Sequence, residues 1–250
     1  MKDAFFKMPW VWGIAGGVLV VLVVVVLVGT YTFLPGVMGG LFEESIKNEM
    51  DLRSTPDVSL KSEPPPSILM GEFAAGRVSL AEGEFGGVRP RSVTIDLDPF
   101  ELNVLKSLRG GEFTSKEPLS GSLRLEVTEN EVSRIARSAA EDVEIESVDL
   151  AEDQVTVQSG TQFLGVDVPV AVRGTLEVRG QALVFVPGRV SAFGVRVPDG
   201  LSEDLLSEAD FRYPFEDLPY DAEISEAEVE KDYLVLTGRL NRIPLGDMGD

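Results

Sequence analysis

The sequence predicts an α+β domain of long antiparallel strands carried behind one membrane-spanning helix, and three observations carry that prediction. No charged side chain occurs from Met8 to Phe42, and within that stretch Val11 to Val28 reads VWGIAGGVLVVLVVVVLV. From Arg77 onward apolar residues recur at every second position, the period of a strand with one face buried. Turn residues separate those runs at short intervals, which suits hairpins rather than βαβ crossovers.

The apolar stretch comes first. A helix over residues 10–34 has 25 residues and is roughly 37 Å long at about 1.5 Å per residue. That exceeds the hydrocarbon core of a bilayer, about 30 Å, and allows a tilted crossing. The many valines suit a strand in water, since β-branched side chains lose rotamer freedom in a helix. In lipid a lone strand leaves its backbone unpaired at several kcal/mol per group, so the helix wins. Lys2 and Lys7 precede the span and Glu43 and Glu44 follow it, which predicts a cytoplasmic N-terminus (1–9), a signal-anchor helix (10–34), a hinge (35–40) and an extracytoplasmic domain (41–250) of a single-pass cell-membrane protein. Trp10 and Trp12 sit at the inner interface, Tyr31 and Phe33 near the outer one. The rival is a cleaved signal peptide. The apolar run is longer than such peptides carry and no A-x-A site follows, although Gly39 and Gly40 are small enough for cleavage. Gly13 and Gly17 form one G-x-x-x-G, a helix-pairing pattern or plain flexibility.

Composition narrows the function. The chain has 22 basic and 42 acidic residues, no histidine and no cysteine. Removing the two lysines and one aspartate of residues 1–41 leaves 20 basic and 41 acidic residues beyond the anchor, a net charge of −21. Such a surface repels nucleic acid and is expected to avoid lying broadly on anionic headgroups. Without histidine or cysteine there is no Ser-His-Asp triad, no thiol nucleophile and no ordinary zinc site. Carboxylate chemistry and oxygen-ligated cations remain open.

Along the chain, Leu41 to Asp51 reads as a short amphipathic helix and Asp57 to Leu60 as a short strand. Pro64, Pro65 and Pro66 stop regular structure, and Ile68, Leu69, Met70 and Phe73 follow as an apolar loop, either buried or dipping into a membrane. Val78 and Leu80 alternate with polar residues, Gly86-Gly87 makes a turn, and Val93, Ile95 and Leu97 alternate in the next strand. Leu102 to Leu108 reads as a helical turn. Leu123, Leu125 and Val127 alternate again. Thr128 and Glu131 form a T-x-x-E capping box before a slim helix with Val132, Ile135, Ala136 and Ala139 at helical spacing. Strands are then expected at 143–150, 154–159, 163–172, 175–179 and 182–186, with turns at Asp153, Gly160, Gly174, Gly180 and Pro187-Gly188. Gly165-Val-Asp-Val-Pro169 recurs as Gly194-Val-Arg-Val-Pro198, and these are read as edge or bulge positions, where proline is tolerated. Leu201 to Ala209 is a second short helix, and Ala222 to Val229 and Tyr233 to Leu240 form a last hairpin around Lys231-Asp232.

Asp96 and Asp98 lie at i, i+2 on one strand face, which suits a cation or a shared proton but equally a solvated face. The acidic runs 141–153 and 216–232 lack the spacing of a calcium loop. Arg77, Arg89 and Arg91 gather near the Gly86-Gly87 turn as headgroup candidates. Long strands with one apolar face and a slim helix can also wrap into a trough for an acyl chain. Burying a CH₂ contributes roughly 0.8 kcal/mol, so a tail of about 16 carbons gains on the order of 10 kcal/mol without any catalytic group.

Four stretches carry a resemblance: Met70-Gly-Glu-Phe-Ala-Ala-Gly-Arg-Val78, Ser92-Val-Thr-Ile-Asp-Leu-Asp98, Thr128-Glu-Asn-Glu-Val-Ser-Arg-Ile-Ala136, and Tyr213-Pro-Phe-Glu-Asp-Leu-Pro219 with the hairpin to Gly238-Arg-Leu240. Over roughly residues 41–246 the chain resembles the LmeA-like phospholipid-binding family, related in shape to tubular lipid-binding domains. The resemblance implies a long curved antiparallel sheet wrapped around a helix, enclosing an apolar tunnel for phospholipid tails. It carries no catalytic residue onto this chain, and Pro64-Pro65-Pro66 departs from the simpler Pro-Phe-Leu-like turn of the family. The expected function is therefore a non-catalytic, membrane-anchored envelope protein that binds phospholipid, needs no cofactor or metal and takes part in lipid transport or maintenance. Ile68, Leu69, Phe73, Val93, Ile95, Leu97, Leu123, Leu125, Val127, Val132, Ile135, Phe163 and Val166 are the expected lining. The alternative is an acidic β-rich module binding a protein or cell-wall partner, and a carboxylate enzyme acting on envelope glycans comes third.

Overall fold

A computed structural model describes residues 56–81, 84–103, 115–140, 144–163, 166–198, 211–215 and 218–243. The expected membrane helix, hinge, Leu41–Asp51 helix and Leu201–Ala209 helix lie outside these residues, as does most of the Leu102–Leu108 turn. Among the described residues no helix is long and apolar enough to cross a membrane.

In chain order the elements are β1 (Asp57–Lys61), a 3-10 turn (Pro65–Met70), β2 (Glu72–Phe73), β3 (Ala75–Leu80), β4 (Ser92–Leu97), β5 (Phe100–Glu101), β6 (Leu119–Thr128), helix α1 (Glu129–Ala139), β7 (Ile145–Ala151), β8 (Gln154–Phe163), β9 (Val166–Val178), β10 (Ala182–Ala192), β11 (Val195–Arg196), β12 (Arg212–Pro214), a 3-10 turn (Pro219–Asp221), β13 (Glu223–Glu230) and β14 (Tyr233–Ile243). The described domain is mostly β-sheet with one α-helix, as the alternating pattern demands. Its strands divide between two six-stranded sheets and a two-stranded β2–β5 ladder rather than forming one long curved sheet. The first runs β1-β3-β4-β6-β14-β13; the second runs β11-β10-β9-β8-β7, with β12 also on β10. The division falls at α1, which carries the chain out of β6 and into β7. The helix packs against β7 and β12 of the second sheet and against β6 and β14 of the first.

Each sheet buries one face. In the first, Val93 faces Leu125 and Ile95 faces Leu123 across β4–β6, and Leu236 and Leu234 face Leu125 and Val127 across β14–β6. In the second, Val157 faces Val172 and Val172 faces Val190. These residues join Val132, Ile135 and Ala136 of the helix in one buried cluster. Register fixed this way is hard to slip, since a shift of one residue would turn every inward side chain outward.

Several turns stand where the sequence places them. Gly86 and Gly87 have φ of 56° and 77° between the bridged pair Phe85 and Val88, and Lys231-Asp232 closes β13 onto β14. At Gly180-Gln181 both φ values are positive, the two-residue geometry that matches strand twist. Three expected turns are corrected. β8 runs straight through Gly160, β9 through Gly174, and β10 through Pro187-Gly188. Gly174 is glycine because a Cβ there would stand 2.3 Å from the Val186 carbonyl oxygen and 2.8 Å from the Phe185 ring. Pro187 sits opposite it at a register shift before Arg189, so the pair makes a bulge, where a missing N–H is tolerated. Pro169 meets the edge reading: β10 pairing ends at Val170, and only the Phe193 N–H reaches the Pro169 carbonyl, at 3.2 Å.

The capping box is corrected too. Thr128 makes no side-chain cap bond. The Glu131 carboxylate instead accepts from the Arg89 N–H at 2.8 Å and from the Arg134 guanidinium at 2.6 and 2.8 Å.

Candidate functional site

The expected lining residues occupy three places. Val93, Ile95, Leu97, Leu123, Leu125 and Val127 form the inner face of the first sheet, and Val132 and Ile135 lie on the helix beside it; all are buried. Leu123, Leu125 and Val127 are at most 1% accessible, so they touch packed protein. Ile68 is buried within the 3-10 turn and Phe73 on β2, where Phe73 stacks on Phe100 with centroids 5.0 Å apart. Their neighbours Leu69 and Met70 point out, 51% and 65% exposed. Phe163 and Val166 are register partners that close the β8–β9 ladder; their side chains lie outside the described set.

The second sheet behaves differently from the first. Along its inner face Val172 and Val170 are buried, Val168 is half-buried, and Ala192, the register partner of Val170, is half-buried as well. Val195 pairs with Ala192 and so continues that face, yet it is 70% exposed, and Phe193 at the turn is 64% exposed. One apolar face therefore passes from packed core to open surface at the end of the sheet where β9 begins and β10 ends. Sequence reasoning missed Phe193 and Val195. The signal in the sequence is the repeated Gly-Val-x-Val-Pro segment, which marks an edge without revealing that the edge is uncovered.

The outer face of the first sheet is charged and satisfied. Arg77 donates to Asp96 at 2.6 Å from the directly opposite register position, a favourable cross-strand pair. Asp98 accepts from Arg239 at 2.6 Å and from Ser120 at 2.7 Å. The two aspartates are thus held by separate arginines. Arg91 pairs with Glu126 at 2.9 Å and lies over the Tyr233 ring at 4.3 Å. Burial alone would raise the Glu126 carboxyl, but hydrogen bonds from Arg91 and Ser92 and the charges of Arg91 and Arg124 pull it below its ordinary value. Glu131 is held low by the Arg134 hydrogen bond, against partial burial and with help from the Arg89 N–H. Among the described residues no group of three or more acidic side chains is placed to hold a metal ion.

The sequence matches the profile of the LmeA-like phospholipid-binding family over residues 29–239. The chain belongs to that family. Comparison with the curated proteins and with the solved structures gives no significant match. For this LmeA-like chain the family relationship points to lipid binding.

Proposed function

We propose that this LmeA-like protein is a membrane-anchored, extracytoplasmic phospholipid-binding protein that holds acyl chains and passes or maintains envelope lipid without converting it. The observation that carries the reading is the inner face of the second sheet, which runs from buried Val172 and Val170 through half-buried Val168 to exposed Val195. Acyl chains laid on such a face gain roughly 0.8 kcal/mol per buried CH₂. Val172 and Val170 share one packed cluster with the buried residues of the first sheet and the helix. Anchoring rests on the uncharged run from Met8 to Phe42 with lysines before and glutamates after. The non-catalytic reading is supported by a chain without histidine or cysteine and by Asp96 and Asp98 each engaged with an arginine.

Native mass spectrometry of the full chain released from micelles tests the proposal. Phospholipid should remain bound, and Val168→Glu, which sets a charge on the half-covered part of the face, should lower the bound fraction at least 10-fold while leaving the fold intact by circular dichroism. Absence of bound phospholipid together with no uptake from vesicles would overturn it. Anchoring predicts that the chain resists alkaline extraction from membranes and that an externally added protease reaches residues beyond 41.

A further inference from the structure

Most arginines among the described residues face a carboxylate, as Arg77, Arg91, Arg134, Arg179, Arg239 and Arg242 do. Among the described residues Arg173 and Arg189 have no side-chain partner, although the chain holds 42 acidic residues. They are register partners on β9 and β10, and like charges directly opposite each other destabilise a sheet. Both are exposed on the outer face, away from buried Val172 and Val190. Arg196 lies on the same face, since it pairs with Ser191 and Ser191 pairs with Ala171.

These strands end at the exposed tip. Phe193 has φ of 51° and Gly194 has φ of 76°, and a bulky residue rarely adopts a positive φ. The turn holds a large ring 64% exposed beside Val195 at 70%. About 13 Å of extended strand separates Arg189 from Phe193. A ring entering the acyl boundary therefore leaves the guanidinium near the phosphate layer, the arrangement that favours interfacial binding.

We propose that the β10–β11 tip docks end-on into the surface of an anionic phospholipid bilayer, with Phe193 and Val195 entering the interface and Arg173 and Arg189 meeting lipid phosphates. The phosphates separate two charges that no described carboxylate neutralises. The acidic remainder of the surface is repelled by the same bilayer, which restricts contact to the tip. Docking there sets the open end of the apolar face against the lipid source; it rests on the lipid-holding reading for its purpose, not for its chemistry.

The chain contains no cysteine, so Val195→Cys takes a single environment-sensitive fluorophore. The labelled full chain is reconstituted in phosphatidylcholine vesicles with or without phosphatidylglycerol, and excess vesicles of the same composition supply a second membrane. With phosphatidylglycerol the fluorescence should shift to the blue and be quenched by nitroxide-bearing lipids. The double variant Arg173→Glu, Arg189→Glu should reduce the docked fraction by roughly 30-fold or more. The same label at Lys231→Cys, on the β13–β14 turn, should stay in water. A label at 195 that stays in water beside anionic vesicles, a signal indifferent to the arginine substitutions, or a response to polyglutamate but not to vesicles would each overturn the proposal. Bound phospholipid is measured on the same samples. Lipid retained without docking defeats the docking proposal alone, and docking without retained lipid defeats the lipid-holding reading alone.

Discussion

Glu131 shows what one buried carboxylate does in an acidic protein. Its oxygens accept from Arg134 on its own helix and from the backbone of Arg89, 42 positions earlier, so it pins the helix to the segment leading into β4. Hydrogen bonds to a charged group contribute about 1.5–3 kcal/mol, and Glu131→Gln is expected to cost about 2 kcal/mol at neutral pH in chemical denaturation. Its folded-state carboxyl titrates below the ordinary value of 4.5, so the unfolded chain binds the proton more readily. The contribution is complete above about pH 4.5 and disappears as pH falls through the lower folded value. The stability gap between the parent and Glu131→Gln should therefore close in acid; a gap that persists there would show the loss to be steric. At this scale the sequence is legible only where partners are local. The T-x-x-E pattern correctly placed a helix start and wrongly placed the glutamate's bonds, because Arg89 competes from a distant segment. The exposure of Phe193 was equally hidden, since period alone gives the face of a residue and not where its cover ends.

At the scale of elements, alternation located the strands and glycine misplaced some of their ends. Gly174 reads as a turn in sequence, yet it lies inside a 13-residue strand, where it lets the Phe185 ring and the Val186 carbonyl approach. Glycine marks both a bend and a close approach, and only the neighbouring strand distinguishes them. Gly174→Val should force that contact apart and cost about 3 kcal/mol or more, read as a shift in denaturation midpoint with little change in slope. Gly180-Gln181 is the contrasting case of a true turn. There the Gln181 amide oxygen accepts from the Ile224 N–H at 3.2 Å, and its amide nitrogen donates to the Ile224 carbonyl at 3.4 Å, so a turn of the second sheet is tied to β13 of the first.

On the scale of the whole molecule, a β-rich domain with one helix and the inward positions of its strands were readable because strand period and burial coincide. The split into two sheets was not readable, because strand pairing is set by contacts between residues far apart in the chain. The first sheet illustrates this: β14 lies between β6 and β13, although more than one hundred residues separate Leu123 from its partner Gly238. That order has a consequence for biosynthesis. Until the final hairpin leaves the ribosome, the apolar edge of β6 has no neighbour on one side, and an unpaired edge strand is a template for association. The first sheet cannot close before β13 and β14 have emerged, so the strands of the second sheet and the helix leave the ribosome ahead of that closure. Nascent chains stalled before Tyr233 should bind a hydrophobic-surface dye and pellet on release, whereas chains carried past Ile243 should do neither. A stalled chain that stays monomeric and dye-free would show that β6 is covered by another route.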